Sequence, residues 1–257
     1  MRNNEISYSV VLPTSGGRCL CGALNSIIAQ TFPPAGVHIT NDMESLLECC
    51  EKLIKNSDIV RLHSGLQFHN VSLSRNYAAS HATSRWIAFL DDDDSWMLDK
   101  MQVQQELLLR GNVKFIGSNA LRVSSNTPYF KDNSDKEIRF RDLLNENAFI
   151  TSSVVIDRKL FLRVGGFPKF EGPGEDYLLW LKVLLLEGKG FVSGNSLVRY
   201  CDLGQSISRK DIESGGEQRK RILKGYVNLE PGNTLNIQQI LRNWYWNSYI
   251  EREILGK

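Results

Sequence analysis

The sequence predicts an α/β fold in which a mainly parallel sheet is flanked by helices. Short apolar runs of strand length alternate with segments of helical periodicity from Tyr8 to Leu90, the pattern of βαβ units with right-handed crossovers. The runs are bounded by Pro, Gly, Asn or Asp, the residues that punctuate such elements. With 257 residues, the chain has enough length to bury a large core as one domain plus an appendage. In sheets of this type ligands bind beyond the carboxyl ends of the strands, so the residues that follow each strand matter most for function.

Tyr8-Ser9-Val10-Val11-Leu12 is the first strand, stopping at Pro13, and Ser15-Gly16-Gly17 turns into a helix with Leu20, Leu24, Ile27 and Ile28 on one face. Thr31-Phe32-Pro33-Pro34 ends it. Val37 to Thr40 is a second strand running into Asn41-Asp42, and Leu46, Leu47, Cys50, Leu53 and Ile54 mark a second helix before the strand Ile59 to Leu62. Val71 to Thr83 is a helix rich in small residues that delivers the central strand Trp86 to Leu90. Beyond it, Met97 to Leu109 reads as a helix, Val113 to Ile116 and Leu121 to Val123 as strands, and Ser124 to Lys136 as a polar loop of the kind that covers a site. Thr151 to Ile156 is a further strand and Arg158 to Val164 a short helix ending in Gly165-Gly166-Phe167. A loop with Gly172, Pro173 and Gly174 then introduces a helix opening on Glu175-Asp176.

The central strand ends in four consecutive aspartates, Asp91 to Asp94, followed by Ser95-Trp96. Adjacent carboxylates repel one another, and a strand end that carries them calls for a countercharge; a hard divalent cation with bound phosphate oxygens supplies it. A solvated acidic turn accounts for one or two of these residues but not for the whole run against a buried strand. Thr14, Asp42, Arg75 and the aspartate run are the candidate ligand-facing points. Arg75 also reads as an ordinary surface arginine, and Asp42 as a helix cap with Ser45 as a rival. Either acid of Glu175-Asp176 also suits a helix N-terminus, where a carboxylate is worth roughly 0.3–1 kcal/mol. Trp96 and Trp180 read as packing residues, and the four histidines form no ligand spacing.

The formal net charge of +2 excludes a global attraction to nucleic acid. Five cysteines without a disulfide-framework pattern are expected as reduced thiols, and the spacings of Cys19, Cys21, Cys49 and Cys50 are not those of zinc knuckles. Met1 to Asn4 is polar and leads into a strand, so no signal peptide is expected, and no apolar run approaches the roughly 20 residues of a membrane span.

Pro13-Thr14, Ser74-Arg75-Asn76, Phe89-Leu90-Asp91-Asp92-Asp93-Asp94-Ser95-Trp96, Gly165-Gly166-Phe167 and Glu175-Asp176-Tyr177-Leu178-Leu179-Trp180 occur in the order and approximate spacing of family 2 glycosyltransferases. Any one of these pieces is weak, and their ordered combination is specific. The resemblance covers residues 6 to 200. It implies the Rossmann-like GT-A fold, with a mixed, mainly parallel sheet, and transfer of a sugar from a nucleotide-diphosphate donor to an acceptor hydroxyl with inversion, aided by Mg²⁺ or Mn²⁺. Residue by residue, it implies donor binding by Thr14, Asp42, Arg75, Asp91 and Asp92, and metal ligation by Asp93 with Asp91. Asp176 matches the general base, and Glu175 binds the acceptor or orients its loop. Asp42 suits a uracil or thymine N–H, which favours a UDP- or dTDP-sugar. The sequence departs from the family pattern at Ser15-Gly16-Gly17-Arg18, where Tyr-Asn-Arg is usual, and around Tyr200-Cys201-Asp202, where many relatives carry a histidine and Asp202 is the available substitute.

The domains expected are a catalytic domain over 1–205 and a helical extension over 206–257. Asn236 to Leu255 reads as a helix whose apolar stripe is wide, with Trp244, Trp246, Tyr245 and Tyr249, and the basic residues Arg219-Lys220-Arg221 precede it. It packs on its own domain, on a second copy in a homodimer, or on an anionic membrane surface. Membrane contact fits a glycan acceptor carried on a lipid, as in bacterial lipopolysaccharide, O-antigen or capsular polysaccharide synthesis, at the inner face of the cytoplasmic membrane. The expected location is cytoplasmic or peripheral there. Two other readings stand beside this one: a nucleotidyltransferase, for which no glycine-rich phosphate loop is found, and a catalytically silent protein that binds nucleotide-sugar or polysaccharide.

Overall fold

The computed structural model describes residues 6–15, 19–43, 45–144, 146–169 and 174–203. The expected extension over 206–257, with its membrane or partner contact, lies outside the described residues. Chain order runs β1 (Tyr8–Thr14), α1 (Leu20–Ile28), β2 (Gly36–Asn41), α2 (Glu48–Lys55), β3 (Val60–Ser64), α3 (Val71–His81), β4 (Trp86–Phe89) and β5 (Ser95–Trp96). It continues α4 (Lys100–Gly111), β6 (Phe115–Arg122), β7 (Lys136–Ile138), α5 (Phe140–Leu143), a 3-10 turn (Thr151–Ser153), β8 (Val155–Asp157), α6 (Arg158–Arg163), α7 (Glu175–Glu187) and β9 (Gly190–Tyr200).

The strands form one sheet in the order β3-β2-β1-β4-β8-β6-β9-β5, with β7 pairing β9. Strands β3, β2, β1 and β4 are mutually parallel, as the alternation requires, and β8 enters antiparallel between β4 and β6. Every residue of β1 is buried, the mark of a strand covered on both faces. Pro13 does not end β1. The ladder to β4 stops at Val11↔Phe89, so Pro13 lies beyond the end of that neighbour and its missing N–H leaves the shorter ladder intact.

Helix α3 is built from small residues because it lies close to the sheet: Ser72, Ser74, Ala78 and Ala79 are buried, and Thr40 Oγ1 donates to the Ser74 carbonyl at 3.3 Å. Asn70 caps it, its side chain accepting from Leu73 N–H at 3.1 Å. One face of the sheet carries an aromatic core in which Trp180 stacks 5.0 Å from Phe115 and meets Phe167 edge-on at 5.8 Å. The other face packs α1, α2 and α4 over Val10, Leu12, Ile39 and Ala88. Trp180 is fully buried and Trp96 nearly so, the packing roles expected of them.

Three expectations are corrected. The separate strands over 113–116 and 121–123 are one strand, β6, because Gly117 to Ala120 pair with β9 across two register shifts. The strand expected from Thr151 is a 3-10 turn over its first three residues, with β8 following. Cys21 and Cys50 are not free thiols but form a disulfide between α1 and α2, while Cys19, Cys49 and Cys201 are free. Packing of α1 against α2 brings those sulfurs together across 29 residues, a separation that no local motif reveals.

Candidate active site

Parallel strands place their carboxyl ends on one edge, so Thr14 at the end of β1, Asn41 at the end of β2 with Asp42 after it, and Asp91 to Asp94 after β4 all emerge there. The four aspartates then separate. Asp94 turns inward and is buried, accepting from Cys201 N–H at 2.8 Å and from the Ser152 hydroxyl; burial and the charges of Asp91 and Asp93 hold its carboxyl well above the usual range. Asp92 accepts the Thr14 hydroxyl at 2.5 Å and the Ser15 N–H; burial raises its carboxyl against those bonds. Asp91 meets Arg75, Nη2 to Oδ1 at 2.6 Å. Asp93 is exposed, and among the described residues no other side chain bonds its carboxylate. Desolvation at the crowded strand end and the charges of Asp91 and Asp92 push it up to about 6.

Arg75 joins the two ends of the site. The residue is 4% exposed and its guanidinium lies 5.0 Å over the Phe167 ring, while Nη1 reaches Glu175 Oε1 at 2.7 Å. Burial alone would lower its pKa, but Asp91 and Glu175 outweigh that and hold it above the ordinary value. Glu175 spends its other oxygen on the Gly174 N–H at 3.2 Å. Asp176 follows, at the start of α7, accepting from Tyr177 N–H at 2.7 Å, Thr151 Oγ1 at 3.2 Å and Asn147 Nδ2 at 3.4 Å. Burial and then Glu175 raise its carboxyl to about 6, against the pull of Arg75. A carboxyl at that value alternates between base and acid near neutral pH.

The structure thus brings Arg75, Asp91, Glu175 and Asp176 together, and separately Thr14 with Asp92. Asp42 does not cap α2, the helix that follows it. Its oxygens accept from Phe68 N–H and Ser74 Oγ, both at 3.2 Å, which fixes the end of β2 to α3 one residue before Arg75. Asp202 is committed elsewhere, to Ser124 and Arg122.

Sequence reasoning missed the 3-10 turn. Ser152 Oγ accepts from Asp91 N–H at 3.1 Å and also bonds Asp94, while Thr151 serves Asp176, so one turn supports both ends of the site. Behind it, Trp96 Nε1 donates to the Ser152 carbonyl at 2.7 Å and Gln104 Nε2 to the Ser153 carbonyl at 2.8 Å. Gln104 in turn accepts from the fully buried Lys100 at 2.7 Å. Three small polar residues at an apparent strand start were the available signal. Asn76 was quoted only as part of a motif. Its side chain closes a pair of hydrogen bonds on the Phe167 backbone, both 2.8 Å, which seats the ring under Arg75.

A bacterial relative, the UDP-Glc:α-D-GlcNAc-diphosphoundecaprenol β-1,3-glucosyltransferase WfgD of Escherichia coli, is 28% identical over 183 residues, 70% of this chain and 71% of that protein. The putative teichuronic acid biosynthesis glycosyltransferase TuaG of Bacillus subtilis is 24% identical over 216 residues, 81% of this chain and 84% of the relative. Among solved structures, S. aureus TarS 1–349 in complex with UDP-GlcNAc superimposes with a TM-score of 0.71 at 18% identity, over 86% of this chain. The matched part of the chain spans 65% of that TarS chain. The family described as glycosyl transferase family 2 matches residues 9–167, from the second residue of β1 to the phenylalanine under Arg75. The chain therefore belongs to glycosyltransferase family 2 and has its GT-A fold.

Proposed function

We propose that this glycosyltransferase moves a sugar from a nucleoside-diphosphate donor, UDP- or dTDP-linked, to a hydroxyl of a glycan or lipid-linked glycan, with inversion, in the assembly of a bacterial surface polysaccharide. The observation that carries this reading is the ion-pair bridge Asp91–Arg75–Glu175, which ties the acid run to the start of α7, where Asp176 stands. A single displacement needs acidic residues at the leaving group and a base on the opposite face of the sugar, and the bridge holds two such groups of residues in one frame.

The acid run fits a hard cation. Asp93 offers an exposed carboxylate with no side-chain partner among the described residues, and desolvation together with the charges of Asp91 and Asp92 raises its pKa, a state that a bound cation relieves. In this reading Asp93 and Asp91 would hold Mg²⁺ or Mn²⁺, which when bound would supply countercharge for a departing diphosphate. Asp92, held by Thr14, and Asp42, held by α3, border the nucleoside, and Arg75 supplies a buried cation beside them. Asp176 takes the proton from the attacking hydroxyl as the anomeric C–O bond to phosphate breaks and the new C–O bond forms on the other face. Glu175 fixes the start of α7 and borders the acceptor. A lipid-linked acceptor, as in the name of the E. coli relative, suits an enzyme working at the inner face of the membrane. Among the described residues no helix is long and apolar enough to cross it.

Calorimetric titration with UDP, dTDP, GDP and ADP, followed by transfer assays, tests the reading. Asp93→Ala is expected to abolish metal-dependent donor binding. Asp176→Asn is expected to leave donor binding intact and to lower kcat by about 10²–10⁴-fold, the scale of a positioned base. Near-normal transfer by Asp176→Asn would remove the base assignment.

A further inference from the structure

Three cysteines converge away from the acid run. Cys21 and Cys50 are joined with a Cα–Cα distance of 5.2 Å, and the exposed Cys49 has its sulfur 3.9 Å from that of Cys50. The three sulfurs lie within 4.8 Å of one another. Cys21 stands in the first turn of α1 and Cys50 in the first turn of α2. Neither helix start has a side-chain cap, and Cys50 is the only fully buried residue of α2. The crosslink therefore ties together two helix starts that have no side-chain cap, and it pins the start of α2 through its one buried residue.

Those starts lead back to the donor site. Helix α1 follows Thr14 and Ser15, which bond Asp92, and α2 follows Asn41 and Asp42. Strands β1 and β2 are neighbours, so α1 and α2 follow adjacent strands, and the crosslink ties the first turns of these two helices together.

We propose that Cys21 and Cys50 are a reversible oxidation site that clamps the nucleoside end of the donor site, so that the oxidised chain binds nucleoside diphosphate more tightly than the reduced chain. The inference rests on the donor reading above. The oxidant is a small-molecule disulfide, RSSR. The thiolate of the partly exposed Cys21 attacks one sulfur and expels RS⁻, and the Cys50 thiolate then attacks the Cys21 sulfur and expels the second RS⁻. The two protein thiols lose two electrons and two protons, and RSSR becomes two RSH. Cys49, exposed beside the pair, exchanges with it without net redox change: its thiolate attacks the Cys21 sulfur and releases Cys50.

The test uses the full chain, oxidised with glutathione disulfide or reduced with a dithiol. Alkylation and intact mass are expected to find three reactive thiols in the oxidised chain and five in the reduced chain, the three free cysteines and the full complement. Titration of UDP, dTDP, GDP and ADP with Mn²⁺ is expected to give the nucleotide that binds a Kd at least about fivefold lower for the oxidised chain, the low end of coupling between sites. Cys21→Ser, which removes the sulfur common to both crosslinks, should match reduced protein under both conditions, and Cys49→Ser should match the parent; comparing redox states of the parent chain avoids dependence on either variant folding. Five reactive thiols after oxidation would overturn the oxidation site. Equal Kd values with the crosslink formed would overturn the clamp alone, and binding of no nucleotide in either state would refute the donor reading and the clamp with it. Stoichiometric zinc retained by reduced protein and lost in Cys49→Ser would overturn the oxidation site in favour of a thiolate metal site.

Discussion

Asp91, Asp92, Asp93 and Asp94 are chemically identical, and their environments give them different work. Asp94 is held by Cys201 N–H and Ser152, Asp92 by Thr14, Asp91 by Arg75, and Asp93 has an open carboxylate. Two residues of one 3-10 turn keep this arrangement in step with the base: Ser152 braces Asp91 and Asp94, and Thr151 donates to Asp176 Oδ2 at 3.2 Å. That last bond favours the ionised carboxylate, against burial and Glu175, which favour the protonated one. A hydrogen bond to a charged group is worth about 1.5–3 kcal/mol, and one pKa unit is about 1.4 kcal/mol. With the Asp176 carboxyl at about 6, Thr151→Val is therefore expected to move the acid limb of the kcat–pH profile upward by about one unit. Activity at pH 8 should change little, since Asp176 is ionised there in both proteins, and Thr151→Ser should restore the parent profile. An unmoved limb with a uniform loss of kcat would assign Thr151 to packing. The other groups facing Asp176, namely Arg75, Glu175 and Asn147, are untouched by this change.

The elements are held in place by features that range from readable to invisible in the sequence. Gly165-Gly166-Phe167 is readable because its chemistry is local: both glycines have positive φ, +87° and +69°. Only Gly166 is also closed in, since a Cβ there would stand 2.5 Å from Asn76 Oδ1, whereas one on Gly165 meets nothing within 4 Å. Gly165→Ala should therefore cost only the left-handed backbone term, about 1–2 kcal/mol. Gly166→Ala should cost about 1 kcal/mol more, because Asn76 must release the Phe167 backbone. Denaturant unfolding with an unchanged m-value measures both, and equal losses would mean that the Asn76 clamp contributes nothing. Strand β9 shows the opposite case. Its apolar residues Val192, Leu197 and Val198 are separated by Ser193-Gly194-Asn195-Ser196, where register shifts against β6 break the two-residue period on which strand reading relies. The turn at Thr151 was likewise hidden, because its carbonyls are satisfied by Trp96 and Gln104 and its Thr151 hydroxyl by Asp176, all distant in sequence.

At the scale of the whole molecule, the sheet has a parallel half, β3-β2-β1-β4, and a half built on β8, β6 and β9, with the site at their junction. The parallel half was legible because each βαβ step is written locally as an apolar run, a turn and an amphipathic stretch. The second half depends on pairings between segments far apart, and its share of the site had to come from the resemblance at Glu175-Asp176. What crosses the junction is charge: Arg75 of the first half on Glu175 of the second. This leaves the acid run short of positive charge, with consequences for stability. Asp93 has a folded pKa of about 6, above its ordinary 3.8, so folding takes up a proton in that interval. Its favourable contribution is complete below the ordinary value and lost as pH rises through about 6. A divalent cation replaces that proton and binds most tightly where the carboxylate is ionised. Mn²⁺ at 100 times its Kd should stabilise the protein by about 2.7 kcal/mol at pH 8, a rise in Tm of roughly 5–10 °C for a domain of this size. At pH 5, where Asp93 is mostly protonated, proton competition weakens the apparent Kd about tenfold, so the same cation concentration should stabilise by only about 1.4 kcal/mol and raise Tm by roughly 3–5 °C, and Asp93→Asn should show no more than that, equally at both pH values. Differential scanning calorimetry with Mn²⁺ and with excess chelator reads this directly. A rise equal at the two pH values, or retained in Asp93→Asn, would move the cation away from the strand end and leave the four aspartates to be neutralised by Arg75 and the fold alone.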